Sequence, residues 1–376
     1  MDAKLINTLN CSDWVLGLLY FDTFGLVASC SNGFISIFNN DDTKLLSFKA
    51  HLKSINKIRK IDDFKFVSCS NDGTVKLWDL QKITRGDYDP VHTFTNDRNI
   101  PFLSIDFKNG LIASGTELKG VDSEIYIWKL DDYTMFKHYT DCHNDDITDL
   151  KFHPTVKNLL ISGSTDGYVN IYDINIIEED ESLLQTINFD SIHSTGFLSM
   201  NRIYTLSHME TFSIHQLHNF QNIDDLNELE PEPLNFNDVR TIWKCDYIVD
   251  LYPPNYILLG SNLKNQLKLC SINPKLEDFK MQDYINLPNG HGDDVVRDMV
   301  IHNNLIYTAG EDSCIKIWES PVKLLDTKVD FVEEETQAEE LPEAESIIEK
   351  KEKKDKKKDK KKDKSKKDKK KRFKPY

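Results

Sequence analysis

No apolar run in this chain of 376 residues approaches the roughly 18–20 residues that a membrane span needs. The start, Met1-Asp2-Ala3-Lys4, lacks the charged-then-apolar pattern of a secretory signal, so a soluble intracellular chain is expected. The seven cysteines (Cys11, Cys30, Cys69, Cys142, Cys245, Cys270 and Cys314) are odd in number, widely spaced and free of any Cys-x-x-Cys. That pattern excludes a disulfide scaffold or zinc ribbon and fits a reducing compartment, where the formal sequon at Asn10-Cys-Ser has no meaning. No phosphate-cradling glycine loop, dinucleotide fingerprint, His-Glu-x-x-His or nucleophile elbow occurs, so the common nucleotide, zinc-hydrolase and serine-hydrolase chemistries have no foothold. The expectation is a non-enzymatic chain with no cofactor and no metal.

What is present is charge, unevenly placed. Residues 1–320 hold 27 basic and 47 acidic side chains, a net of −20. Residues 321–349 hold 2 basic and 10 acidic, and residues 350–376 hold 18 basic and 5 acidic, a net of +13. The overall formal charge of −15 therefore describes no single surface.

Internal repetition decides the fold class. Three segments superpose: Phe66-Val-Ser-Cys-Ser-Asn-Asp-Gly-Thr-Val-Lys-Leu-Trp78, Leu160-Ile-Ser-Gly-Ser-Thr-Asp-Gly-Tyr-Val-Asn-Ile-Tyr172 and Ile306-Tyr-Thr-Ala-Gly-Glu-Asp-Ser-Cys-Ile-Lys-Ile-Trp318. Each reads as a strand, a tight Asp-Gly or Asp-Ser turn and an alternating second strand ending on an aromatic. Weaker copies end at Phe38, Trp128, His215 and Cys270, so that seven endpoints stand 40 to 55 residues apart. That period is one four-stranded blade, and the chain is expected to be an all-β, seven-bladed propeller over residues 1–325. A closing strand at about residues 4–10 completes the blade that ends at Trp318. Polar insertions at Glu117–Ser123 and Asn219–Phe236 account for the longer spacings. Residues 326–349 read as an acidic disordered linker and 350–376 as a Lys-rich disordered tail, because neither carries an apolar face to bury.

These repeats resemble the WD-repeat propellers. The three strong copies carry that family's tetrad at its usual offsets: His51, Ser68, Asp72 and Trp78; His143, Ser162, Asp166 and Tyr172; His291, Thr308, Asp312 and Trp318. Each aspartate stands six residues before its aromatic, and His291 follows Gly290 as the family pattern does. A chain of hydrogen bonds from aromatic to hydroxyl to imidazole to carboxylate pins a blade in register when every member is satisfied. Ser, His and Asp together also suggest a hydrolase triad, but a catalyst needs one copy, and three at a fixed period argue for scaffolding. Asp145-Asp-Ile-Thr-Asp-Leu-Lys-Phe-His-Pro154, Gly115-Thr-Glu117 and Asp238-Val-Arg240 are similar to the WD repeat-containing protein 89 family, which implies a nuclear propeller. Trp-Asp-x-Arg, read in other propellers as a ubiquitin-ligase docking motif, is absent, since Trp78 and Trp128 begin Trp-Asp-Leu-Gln and Trp-Lys-Leu-Asp.

Function must then lie in a surface. Asp145, Asp146, Asp238, Asp293, Asp294 and Asp298, with Arg240 and Arg297 among them, are expected on one face near the channel mouth. An acidic field of this kind repels nucleic acid and attracts basic protein segments such as histone tails, ribosomal proteins or their assembly factors. His193, His208, His215 and His218 crowd one region without metal-ligand spacing and read as ordinary strand and loop residues. In the tail, Lys369, Lys370, Lys371 and Arg372 suit a nuclear import signal recognised by an import receptor. The lysines also suit salt-sensitive, sequence-blind RNA contact, with a solubilising role as the bland alternative. The expectation is a monomeric propeller working within a complex, away from membranes, nuclear and nucleolar but also compatible with cytoplasm. It would be a scaffold binding basic segments, with ribosome assembly as one setting, or alternatively a chromatin/histone-binding or ubiquitin-ligase adaptor.

Overall fold

A computed structural model describes residues 1–218, 232–273 and 277–325. They form seven four-stranded antiparallel sheets. Six of these blades are continuous in sequence, and their first strands are Val15–Phe21, Ile55–Lys60, Phe102–Lys108, Ile147–Phe152, Ile192–Ser199 and Tyr247–Tyr252. The seventh takes Val296–His302, Leu305–Gly310 and Cys314–Glu319 from the end of the chain and Lys4–Asn10 from its start. In that pairing Leu5 lies opposite Trp318 and Asn10 opposite Cys314, so the closing strand sits where the repeat pattern puts it. Met1–Ala3 continue onto the outer strand of blade 6 through Ala3 N–H to Asn286 O and Asn286 N–H to Met1 O, both 2.8 Å.

The alternating strands bury one apolar face against the preceding blade and the other against the following one. The buried side chains accordingly form seven clusters, each shared by two neighbouring blades. One joins Phe21, Ile37 and Phe48 of blade 1 to Ile58, Phe66 and Trp78 of blade 2, and another joins Tyr204 and Phe212 of blade 5 to Leu251, Ile257 and Leu259 of blade 6. The seam between blades 7 and 1 holds Tyr307 and Ile317 against Leu18 and Leu26. Ring closure is thus hydrophobic at every seam, and no blade has a complete core alone.

The turns follow from the residues. Gly73 and Gly167 take φ of +79° and +89°, and Ser313 carries the same left-handed step at +61° in blade 7. A side chain at Gly310 would put its Cβ 2.5 Å from His291 Nδ1, so the imidazole can lie over the strand only because nothing projects there. First strands of adjacent blades contact one another and line the axis. Every first strand begins at the same end of the ring, so the connections between blades and the turns between second and third strands share that end. It is called the entry end below.

Candidate functional site

Two constellations lie inside the ring and one on its entry end. In blade 2, Trp78 Nε1 donates to Ser68 Oγ at 2.8 Å. Ser68 Oγ meets His51 Nε2 at 2.7 Å, and His51 Nδ1 meets Asp72 Oδ2 at 3.0 Å. Blade 7 repeats this through Trp318, Thr308, His291 and Asp312 at 3.0, 2.8 and 2.8 Å. In blade 4, His143 joins Ser162 at 2.7 Å and Asp166 at 3.0 Å. Tyr172 closes that blade differently: its hydroxyl lies near Ser162 but donates to the Cys142 carbonyl at 3.4 Å and accepts from Asn170 Nδ2 at 3.1 Å. Burial works against the charged form of Asp72, yet hydrogen bonds from His51 and Thr74 hold its carboxyl well below the usual carboxylate range. Burial also lowers the His51 imidazole, which keeps it neutral. In blades 2 and 7 all four members are satisfied by one another, which is the condition for a rigid strut; in blade 4 the aromatic hydroxyl is satisfied by Cys142 and Asn170.

Blade 5 builds a substitute. Ser213 Oγ lies 2.6 Å from His215 Nε2 and 2.7 Å from Thr205 Oγ1. Burial and Arg202 push His215 down to about 4, so it is neutral. Among the described residues this cluster contains a hydroxyl and an imidazole but no carboxylate hydrogen-bonded to the imidazole, and a triad needs that third group. His193 and His208 rings sit 5.2 Å apart. Among the described residues no group of three His, Cys, Asp or Glu side chains is disposed to hold a metal ion.

The second constellation lines the axis. Asp149 accepts from Lys57 Nζ (3.1 Å) and Leu150 N (3.0 Å) on one oxygen. Its other oxygen accepts from Lys151 Nζ (2.6 Å), Ser194 Oγ (3.0 Å) and Thr195 N (3.2 Å). Ser194 also meets Asp250 Oδ1 at 2.7 Å. Arg59 Nε reaches Asp106 at 3.5 Å, and Asp106 accepts from Phe152 N at 2.8 Å. Burial disfavours the Arg59 charge, but Asp106, Asp149, Asp298 and Asp250 surround it and raise its pKa further. Asp298, expected on the exposed face, belongs here instead. It accepts from Leu18 N of blade 1 at 2.8 Å and from the Tyr252 hydroxyl of blade 6 at 3.2 Å, and burial pushes it up to about 6. The physical reason is strand alternation: Asp298 is the third residue of an inner strand, where the side chain turns to the axis and the neighbouring blades.

The remaining face residues lie at the entry end, in or beside the connections between blades. Asp293 and Asp294 are exposed, and Asp145 and Asp146 are half-buried. Asp146 also accepts from Leu118 N at 2.8 Å, which gives it a structural duty. Arg240 is held by Asp238 through three contacts of 2.6 to 3.1 Å, and Arg297 is held by Glu311. Neither arginine is therefore available to neutralise Asp293 or Asp294. Large apolar side chains are also exposed around this end of the ring: Trp14, Leu52, Val121, Tyr168, Met209, Ile242 and Leu263. Sequence reasoning missed the axial charges, although a signal existed: an aspartate recurs in the inner strand of blades 3, 4, 6 and 7, at Asp106, Asp149, Asp250 and Asp298. Lys369, Lys370, Lys371 and Arg372 lie outside the described residues.

A seven-bladed ring with His–Ser/Thr–Asp struts in three blades defines a propeller of the protein-interaction class. The family described as "WD domain, G-beta repeat" matches residues 42–79, 135–173 and 283–319, the segments that carry the three struts. A WD repeat-containing protein of Saccharomyces cerevisiae is 42% identical over 335 residues, covering 86% of this chain and 83% of that one. The WD repeat-containing protein 89 homolog of Dictyostelium discoideum is 28% identical over 305 residues, covering 78% and 79%. The crystal structure of the WD40 β-propeller domain of Doa1 superposes with a TM-score of 0.60 at 14% identity, over 84% of this chain and 96% of that one, a likeness of fold. The chain belongs to the WD-repeat proteins.

Proposed function

We propose that this propeller is a non-catalytic nuclear scaffold whose entry end binds basic protein segments. The observation that carries the reading is the pairing at that end. Both nearby arginines are tied to Asp238 and Glu311, while Asp293 and Asp294 face solvent at an end that also exposes apolar side chains. Carboxylates on the same end as apolar anchors suit lysine- or arginine-rich segments, the chemistry of ribosomal-protein extensions and histone tails, and a net of −20 over residues 1–320 would steer them in. Work on ribosomal proteins during their assembly fits the same chemistry, and the basic cluster at Lys369–Arg372 fits nuclear import.

The test measures binding of a Lys/Arg-rich ribosomal-protein extension to the full chain at low and high salt. Asp145→Lys, Asp293→Lys and Asp294→Lys together should abolish the salt-sensitive complex. Binding that is insensitive to both salt and these charges would refute the reading.

A further inference from the structure

Blade 1 carries none of the four strut residues, and a pair of thiols stands in their place. In blades 2, 4 and 7 the turn aspartate, Asp72, Asp166 or Asp312, lies two residues past the end of the second strand. Met209 and Leu263 hold that place in blades 5 and 6, and Asn32 holds it in blade 1, where the second strand ends at Cys30. The hydroxyl and aromatic positions of blade 1 are then Ala28 and Phe38. His51 and His291 precede their aspartates by 21 residues, and the residue at that distance before Asn32 is Cys11.

The backbone shares this correspondence. Gly33 N donates to Cys30 O at 3.0 Å, as Gly73 N does to Ser70 O at 3.2 Å. Phe34 N donates to Asn32 Oδ1 at 3.2 Å, as Thr74 N does to Asp72 Oδ1 at 3.1 Å. Cys11 N donates to Ser313 O of blade 7 at 2.9 Å, and Asn32 Nδ2 donates to Ser12 Oγ at 3.0 Å, so the entering chain is held from both sides.

Cys30 thus occupies the place of Ser70, Ser164 and Gly310, beside the imidazole position. Blade 7 shows how close these places are, since a Cβ at Gly310 would lie 2.5 Å from His291 Nδ1. In blade 1 the same adjacency brings two sulfurs together. Cys11 and Cys30 hydrogen-bond to each other at the seam between blades 7 and 1, with Cys30 buried and Cys11 partly open to solvent. The bond from Cys11, helped by Ser12, draws the Cys30 thiol below its usual range, so the pair loses a first proton readily.

We infer that Cys11 and Cys30 form a reversible disulfide that replaces the missing strut and locks the end of the closing strand to blade 1. Hydrogen peroxide is the oxidant. A thiolate of the pair attacks one peroxide oxygen, the O–O bond breaks, and hydroxide leaves and is protonated to water, which makes the attacking sulfur a sulfenic acid. The second sulfur attacks the sulfenic sulfur, the S–O bond breaks, and the departing oxygen takes the second thiol's proton and leaves as water. Two thiols are oxidised and one peroxide is reduced to two waters. Sulfurs already in hydrogen-bond contact have only to close to the about 2.05 Å of a disulfide. Cys11 directly follows the closing strand Lys4–Asn10, so the bridge fixes that strand where it leaves blade 7.

The experiment treats the full chain with hydrogen peroxide, alkylates the remaining thiols and maps the digested peptides by mass spectrometry. A peptide pair joining Cys11 to Cys30 should appear, and dithiothreitol should remove it. The oxidised chain should melt about 3–5 °C above the reduced one. Cys11→Ser, treated alike, should abolish both effects. Cys30→Ser is a second variant with the same expected outcome, and the serines at that place in blades 2 and 4 show that the fold accepts it. Cys314→Ser removes the other partly exposed thiol beside the closing strand and should leave both effects intact. No bridge, a bridge from Cys11 to Cys314, or a Cys11–Cys30 bridge without a rise in melting temperature would each overturn the inference. The peptide map of the parent chain decides the matter even where a variant fails to fold.

Discussion

Replacing Asp149 with Asn is the sharpest test of the axial network. The Asp149 side chain is 1% exposed, whereas Lys57 and Lys151 are 26% and 23% exposed at their side chains. The carboxylate thus has no access to water, while its two ammonium partners have some. Asparagine keeps one acceptor but turns an amide N–H2 toward Lys151, Ser194 and Thr195, all of which donate to that oxygen. Removing one side of a buried, fully bonded ion cluster typically costs about 3–5 kcal/mol. The partial hydration of both lysines places this case at the low end, about 3 kcal/mol. Urea unfolding should show this as a lower midpoint with an unchanged slope. Lys151→Met in the same background should cost much less than in the parent, giving a coupling of about 1–3 kcal/mol. A loss below about 1 kcal/mol for Asp149→Asn, or additive effects of the two substitutions, would refute the claim that the axial charges brace the ring.

Other expectations concern the struts, the closing strand and a buried carboxyl. Ser68→Ala removes the hydroxyl shared by Trp78 and His51 and should cost about 2 kcal/mol. Ser162→Ala should cost about half as much, because Tyr172 also holds the Cys142 carbonyl; equal losses in urea midpoints would contradict that geometry. Deleting residues 1–10 strips blade 7 of its outer strand and exposes the Cys314–Glu319 edge, so the variant should aggregate on size-exclusion chromatography, and a synthetic peptide of those residues should restore the monomer. Burial raises Glu210 from 4.5 to about 7, so its ionisation destabilises the fold. Its contribution is fully present below about pH 4.5 and is lost as the pH rises through about 7. Glu210→Gln keeps the acceptor for Ile248 and should raise stability at pH 8 by on the order of 1 kcal/mol, flattening the profile over that window.

Reading the struts from the sequence succeeded because each depends on local spacing. The hydroxyl, turn aspartate and aromatic of a blade lie within eleven consecutive positions, Ser68 to Trp78, and the histidine stands 17 to 19 positions before the hydroxyl. The closing strand was legible because the last blade, ending at Trp318, supplies only three strands of its own, and Lys4–Asn10 precedes the first complete blade. Asp298 was misplaced because strand alternation gives two faces but does not say which faces the axis. Met209 and Leu263 were visible only as missing aspartates. Whether such a residue folds inward or stands in solvent depends on what the connection entering its blade offers it, and neither residues 189–191 before blade 5 nor Arg240–Trp243 before blade 6 offers a histidine.

Composition and period alone determined an all-β ring of seven blades, its three internal struts and its segregation of charge, because those follow from near-neighbour chemistry repeated along the chain. Tertiary structure alone decided which charges meet. Lys57 and Asp149 lie 92 residues apart and in blades 2 and 4, yet they touch across the axis. Asp298 contacts blades 6 and 1 together, and Arg240 is bound to Asp238 rather than open to a ligand. Side chains that converge on a closed axis are brought together by the ring itself, so their pairing follows from closure and not from any local pattern.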